Sequence, residues 1–217
     1  MPVDLSTSRI LYAIAVVGDV NPSVHHPQWY RSNGLIDESE LNAAVLGGPV
    51  SMPFISQFGF GDPIIAVSCM AGRWSIQSPA ASNWNRMIEL TLGTFKKLSL
   101  ASITAFGFNA FMHSDIGLTN VGDALASGLA RLDIGLPAGP RVGSSITVAD
   151  NSDEVKTTYT IQPSMLDQKS VFIALNLQYE GASANFQELA AKAPDFPVRS
   201  EKRIAELAEA IKKLGVK

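Results

Sequence analysis

The sequence predicts an α+β fold in which a mainly antiparallel sheet carries helices packed on one face. Strands outnumber the helices that could join parallel neighbours, and tight turns separate several strands, as in hairpins. The 217 residues suffice for one substantial core. We therefore expect a single domain over residues 1–217, with a first half of about residues 1–130 packed against a second half of about residues 131–217. The element order also permits a degenerate internal duplication.

The first elements are an apolar strand and a capped helix. Residues 10–17 are continuously apolar, which is typical of a strand covered on both sides and predicts a central place in the sheet. Residues 21–30 contain two prolines and indicate irregular backbone. Asp37 and Glu40 form a capping-box pattern that opens a short helix ending near residue 45.

A hairpin, a long helix and a strand follow. Residues 64–70 and 73–78 predict two strands joined at Ala71-Gly72, because glycine supplies the positive φ that such a turn requires. Residues 84–98 place apolar side chains at helical spacing and predict a helix that packs on the sheet. Residues 103–112 resume as a strand.

The second half is also predicted to contain a hairpin, a further strand and helices. Residues 143–149 and 155–162 flank a polar turn and predict a hairpin. Residues 171–180 alternate large apolar and small or polar side chains, which predicts a strand. A short helix capped by Asn185 and a last helix opened by Ser200 complete the expected order.

The distribution of charge is the main functional observation. Charged residues make up 17% of the chain, against about 25% in typical globular proteins. Residues 41–72 contain one charged side chain, Asp62, and residues 98–130 contain only Asp115 and Asp123. We expect these stretches to be largely buried, in part against a protein partner or a second copy. The alternative is a large self-contained core with an uncharged polar surface.

Composition also disfavours several classes. The net charge of −3 and pI near 5.6 give no basic face for nucleic acid. The single cysteine, Cys69, excludes an internal disulfide and a multi-thiolate metal site, so we expect no metal and no cofactor. No signal peptide or membrane span is expected, and a cytoplasmic location with no membrane partner is the simplest interpretation.

Aromatic and histidine side chains in loops are candidates for contacts. His25 and His26 lie beside Trp29 and Tyr30, but no further histidine or cysteine stands at a metal-ligand spacing. We interpret Trp29 and Tyr30 as an anchor for their loop, on the body of the protein or on a partner. Phe60 lies between two glycines, and we expect a turn to present it as a third interaction residue.

Two further sets of residues suggest chemistry. Cys69, His113 and Asp115 follow or end apolar strands, and together they are candidates for a nucleophile, a base and an orienting acid. The alternative for Cys69 is an inert, buried thiol. No serine, Ser164 included, stands in a nucleophile-elbow pattern.

Three residues are candidates for a ligand pocket between sheet and helices: Trp74, Asn109 and Asn176. Each asparagine lies in a mostly apolar strand, where a buried amide must find hydrogen-bond partners. Such an amide can line a pocket. The alternative, a core or edge amide satisfied by the protein itself, is the more usual one.

Three segments resemble a known group of proteins. They read RWSIQSPAASNWNRMIELTLGTFKKL, ITAFGFNAFMHSD and TYTIQPSMLDQKSVFIALNLQY, and with the helices that follow they cover roughly residues 60–215. In the order of its predicted elements and in a few short stretches of sequence, this region is similar to sporadically distributed, uncharacterised families of bacterial and phage-borne proteins. The resemblance implies an α+β fold and a role as an accessory component of a mobile or defence-type gene cassette. It transfers no active site.

We expect a non-enzymatic protein that works by interaction or assembly within a homo- or hetero-oligomeric complex. A small-molecule binding domain is the first alternative, and a hydrolase or transferase that uses Cys69 and His113 is the second.

Overall fold

The computed structural model describes residues 9–130, 146–151, 155–166, 168–180 and 193–215, which hold nine strands and five α-helices. The strands are β1 Arg9–Gly18, β2 Val50–Met52, β3 Ile55–Phe60, β4 Ile65–Met70, β5 Arg73–Ser78, β6 Ile103–Asp115, β7 Ile146–Asn151, β8 Lys156–Pro163 and β9 Ser170–Glu180. The helices are α1 Pro27–Ser32, α2 Glu38–Leu46, α3 Trp84–Lys97, α4 Val121–Ala130 and α5 Phe196–Gly215.

All nine strands form one antiparallel sheet in the order β2-β3-β4-β5-β1-β6-β9-β8-β7. The predicted α+β class with an antiparallel sheet is confirmed. β1 lies between β5 and β6, which is the central position that its continuous apolar run predicts.

The order of elements repeats about the boundary between β1 and β6, which we call the seam. On one side β1 is followed by helices, then β3, β4, β5 and α3; on the other β6 is followed by α4, then β7, β8, β9 and α5. The strand order mirrors itself across the seam, with β2 as an addition at one edge. The two topological halves therefore divide between α3 and β6, earlier in the chain than the predicted division near residue 130.

Local signals place several elements as predicted. Asp37 and Glu40 form a complete capping box at α2: Glu40 N donates to Asp37 Oδ1 at 2.8 Å, and Asp37 N donates to Glu40 Oε2 at 2.9 Å. The β4–β5 hairpin turns through Ala71 and Gly72, where Gly72 has a φ of +82°. These elements depend on short-range chemistry, which sequence reasoning captures well.

Other elements differ from the prediction. The segment expected to be irregular contains α1, because Pro27 fits the first position of a helix and His26 Nδ1 accepts from Trp29 N at 3.3 Å as the cap. The β2–β3 hairpin and α4 have no counterpart in the prediction. α5 begins at Phe196, four residues before the predicted start at Ser200. The helix predicted near Asn185 and the start of the hairpin at residues 143–145 lie outside the described residues.

Alternation along the strands gives the sheet two different faces. One face joins side chains from all five helices in a single core, so we call it the covered face. No described helix packs on the opposite side, which we call the open face. The positions on it, by alternation and register, include Arg9, Leu11, Ala13, Ala15, Val17, Val50, Met52, Ile55, Gln57, Gly59, Ala66, Ser68, Met70, Arg73, Ser75, Gln77, Ala105, Gly107, Asn109, Phe111, His113, Asp115, Thr147, Ala149, Lys156, Thr158, Thr160, Gln162, Phe172, Ala174, Asn176, Gln178 and Glu180.

Trp84 connects the two topological halves on the covered face. Its ring lies 6.3 Å from Tyr12, 5.7 Å from Phe108 and 5.1 Å from Phe196 between ring centroids. Its Nε1 donates to the carbonyl oxygen of Ala193 at 2.8 Å. A buried indole of this size, with its one polar atom satisfied, contributes both packing and a hydrogen bond across the seam.

We expect Trp84→Ala to lower the free energy of unfolding by about 3–5 kcal/mol, because it leaves a large cavity between both halves. Urea unfolding followed by far-UV circular dichroism measures the loss. Trp84→Phe is the matched control, which keeps an aromatic ring, loses the bond to Ala193 and should cost less. An equal, small loss in both variants would show that the packing of this ring does not hold the halves together.

Candidate functional site

The structure separates the predicted nucleophile, base and acid. Cys69 lies on the covered face of β4, whereas His113 and Asp115 lie on the open face of β6. Two strands, β5 and β1, stand between them, so the strands alone are about 14 Å apart. Burial raises the pKa of the Cys69 thiol to about 12, so the protonated thiol dominates at neutral pH. The structure therefore does not bring Cys69 together with His113 and Asp115.

The structure does not bring the three predicted pocket residues together on one side of the sheet. Trp74 is fully buried on the covered face, where its ring contacts Phe95 with centroids 5.4 Å apart and its Nε1 donates to the Tyr30 hydroxyl at 2.9 Å. Asn109 and Asn176 lie on the other side of the sheet. Alternation along the strands therefore keeps Trp74 apart from both amides.

The two asparagines face each other across the centre of the open face. Asn109 of β6 is paired in register with Asn176 of β9, and both amides are largely withdrawn from solvent. Oδ1 of Asn176 is buried and makes no hydrogen bond. An unbonded buried carbonyl oxygen is costly, so this amide is the polar group at the centre of the face with capacity for another donor.

His25 belongs to a buried polar chain. Trp74 Nε1 donates to the Tyr30 hydroxyl oxygen, and that hydroxyl lies 3.1 Å from His25 Nδ1. Because an indole only donates, the Tyr30 oxygen accepts from Trp74 and keeps one lone pair and its own proton for its other contacts, that with the His25 ring among them. Nε2 is buried without a hydrogen bond. Burial, and to a lesser degree the charge of His26, lowers the pKa of His25 to about 4.

The histidine pair therefore has structural roles. His25 anchors the loop before α1, and His26 caps α1. Among the described residues, no group of three or more histidine, cysteine, aspartate or glutamate side chains lies close enough to hold a metal ion.

Two of the three predicted interaction residues are buried in the protein itself. Tyr30 is fully buried, and Phe60 lies on the covered face of β3 beside Phe58, with ring centroids 6.1 Å apart. Trp29 is partly buried and packs against the core, which fits an anchor on the body. The glycines beside Phe60 do not present it, because strand alternation directs this position toward the helices.

A pocket lies at one end of the open face. Its volume is about 610 Å³, and its lining residues are Ile10, Leu11, Pro79, Phe111, His113, Leu166 and Phe172. The Phe172 ring lies 4.8 Å from the His113 ring and 6.4 Å from the Phe111 ring, and the two phenyl planes are 13° apart. The pocket is apolar apart from the imidazole.

Ser164 fixes the orientation of the His113 ring. Its Oγ lies 2.9 Å from His113 Nδ1 and accepts from Leu166 N at 3.0 Å. Sequence reasoning passed over this serine because it follows β8 without a nucleophile motif, although β8 pairs with β9 and β9 with β6. Asp115, the acid nearest in sequence, accepts from Gly117 N at 2.8 Å. The serine is buried and bonded to Leu166, so it positions the His113 ring.

The opposite end of the open face carries a row of apolar side chains, which we call the apolar row. Register aligns Met52, Ile55, Met70, Arg73, Val17, Ala105 and Glu180 across seven adjacent strands. Val17, Met70 and Met52 are 42%, 48% and 49% exposed. Large apolar side chains aligned at this exposure are typical of a contact surface.

The chain matches no protein-family model and no curated protein sequence. In the part of the chain that the structure describes, no helix has the length and apolar character needed to cross a membrane.

We expect acid to destabilise the protein through His25. Its pKa falls from 6.5 in the unfolded chain to about 4 in the fold, so the unfolded state binds the proton first as pH decreases. The contribution of His25 to the free energy of unfolding is present above pH 6.5, and about 3 kcal/mol of it is lost as the pH falls toward 4. Urea unfolding at several pH values measures this loss. His25→Asn, whose side-chain amide can replace Nδ1 in the contact with Tyr30, should lack the loss. An equal loss in acid for both proteins would show that His25 is not its source.

We expect the Cys69 thiol to resist labelling in the native protein, because it is buried and its pKa is raised. A chromogenic disulfide reagent at pH 8 should react only after denaturant is added. The matched control is Met70→Cys in a Cys69→Ser background, since residue 70 is half exposed and faces the other side of the sheet. Rapid labelling of native Cys69 would show that the covered face opens.

Proposed function

We propose that this protein is a non-enzymatic assembly protein of the cytoplasm, and that it associates with a second copy of itself through the open face of its sheet. The apolar row is the observation that carries the proposal. Its exposed methionine and valine side chains stand in register across adjacent strands, on the side of the sheet where no described helix packs.

The charges on the open face favour a copy of the same chain as the occupant. Among the described residues, five charged residues occupy positions on this face: Arg9, Arg73, Asp115, Lys156 and Glu180. Each is the first or the last residue of its strand. The interior of the face carries no Lys, Arg, Asp or Glu, so two copies can meet there without repulsion between like charges.

The two charges in the apolar row are placed symmetrically about the seam. Arg73 lies on β5, one strand beyond β1, and Glu180 lies on β9, one strand beyond β6. We consider two copies whose sheets stack through their open faces, related by a two-fold axis that runs parallel to the seam and midway between the sheets. This arrangement places β5 of one copy opposite β9 of the other. Arg73 then faces Glu180 of the second copy, and the contact occurs twice.

The extent of the face sets an upper limit on the area of a dimer contact, since Ala13, Ala15 and Asn109 near its centre are at most 7% exposed in one copy. The row through Ala15 and Gly107 crosses eight strands from Val50 to Lys156. At a strand spacing of about 4.8 Å and a rise of about 3.3 Å per residue, the face measures at most about 34 Å by 26 Å, near 900 Å². Stable interfaces bury about 800 Å² on each partner.

Charge reversal tests the proposal directly. We expect Arg73→Glu and Glu180→Arg each to weaken the dimer roughly ten- to hundredfold, because each places like charges opposite each other twice, and the double variant to restore it. Both side chains are exposed, so the fold should tolerate the changes. Native mass spectrometry and light scattering over a concentration series measure the dissociation constant.

A second pair of variants tests the apolar contribution. Met70→Glu should weaken association, whereas Val198→Glu, an exposed apolar position on α5, should leave it unchanged. A wild-type protein that stays monomeric at every concentration, or single reversals without effect, would overturn the proposal.

A further inference from the structure

We infer that the pocket beside His113 binds an uncharged small molecule, a planar ring that carries one hydrogen-bond acceptor. This goes beyond the assembly proposed above. The volume of about 610 Å³ lies within the range of small-molecule sites.

The walls of the pocket favour a ring. Phe111 and Phe172 present nearly parallel planes, and the His113 ring lies 4.8 Å from Phe172. Aliphatic side chains of Leu11 and Leu166 complete the lining beside them. Aromatic walls of this kind pack against a planar ring in stacked or edge-to-face contact.

The charge of the pocket favours a neutral molecule. None of the seven lining residues is Lys, Arg, Asp or Glu. The nearest charged positions on this face are Arg9, in register with His113, and Asp115, two residues along β6. An ionised group buried against the seven lining residues would lose its hydration without gaining an opposite charge from them, which favours a neutral molecule.

His113 supplies the hydrogen-bond donor. Ser164 Oγ already accepts from Leu166 N, and the acceptor within reach of its own proton is His113 Nδ1 at 2.9 Å. We assign the serine proton to Nδ1, which places the proton of the neutral ring on Nε2. His113 lines the pocket, so this N–H can donate to a carbonyl, ether or hydroxyl oxygen of the ligand.

The pocket and the charges of the proposed dimer lie at opposite ends of the strands. From Val17, in register with Arg73, to Arg9, in register with His113, β1 runs eight residues, about 26 Å. Binding in the pocket therefore does not require the contacts that Arg73 and Glu180 make.

Two probe molecules of the same shape test the site. Acetophenone carries a carbonyl acceptor on a ring, and ethylbenzene has nearly the same outline without the acceptor. Titrations followed by ligand-observed NMR should show acetophenone binding about three- to tenfold more tightly, as expected for one neutral hydrogen bond. Benzoate should bind more weakly than either.

Variants assign the contacts. His113→Phe keeps a ring of similar size and should remove the preference for acetophenone. Leu166→Ala should weaken both probes, whereas Met165→Ala is the matched control, since Met165 is 93% exposed on the same turn and does not line the pocket. Circular dichroism confirms that each variant is folded.

The inference is overturned if neither probe binds, if benzoate binds best, or if both probes bind equally and His113→Phe changes nothing. The Arg73→Glu variant separates this inference from the assembly proposal. Binding of acetophenone by that variant supports the pocket whether or not the wild type forms a dimer.

Discussion

The antiparallel pairing of β1 with β6 is the contact on which the rest of the structure depends. These two strands are the only neighbours in the described sheet that join the first topological half to the second. Their register runs from Arg9 opposite His113 to Val17 opposite Ala105, with a shift at Gly18. A slip of one residue would move every side chain of one strand to the other face. The register thus decides both the composition of the core and the composition of the open face.

Helices reinforce the seam on one side only. Trp84 of α3 contacts Phe108 of β6 and Phe196 of α5, and the Tyr12 hydroxyl of β1 donates to the Glu201 carboxylate of α5. These contacts cross between halves on the covered face. On the open face, the positions near the seam hold small side chains, among them Ala13, Ala15 and Gly107, and all three are buried.

The sequence predicts elements whose signals are local, and misses those that depend on tertiary context. The alternation in β9, the capping box of α2 and the turn at Gly72 act within a few residues, so each could be predicted. α1 was missed because prolines that indicate loops also begin helices. β6 carries apolar side chains on both faces, so its sequence does not reveal which side the helices cover.

The candidate sites show the same limit. Asn109 and Asn176 could be singled out as polar residues in apolar strands, but their direct pairing follows from a register between strands more than sixty residues apart. The hydrogen bond between His113 and Ser164 depends on the sheet order in which β9 pairs with β6 and β8 pairs with β9. No local sequence pattern predicts this bond. The sequence makes Cys69 a candidate nucleophile and Trp74 a candidate pocket residue, because composition does not show which face of a strand the helices cover.

The shortage of charged residues has a specific location in the fold. Residues 41–72 supply β2, β3 and β4, and residues 98–130 supply β6, so the two charge-poor stretches form much of the open face as well as part of the core. A larger core alone would leave the opposite side of these strands charged, as on an ordinary solvated sheet. Here the charges on that side occupy only strand ends, while the positions between them are apolar, small or uncharged polar. The proposed contact between two copies depends on this distribution, because nothing in the interior of the face needs a counter-charge.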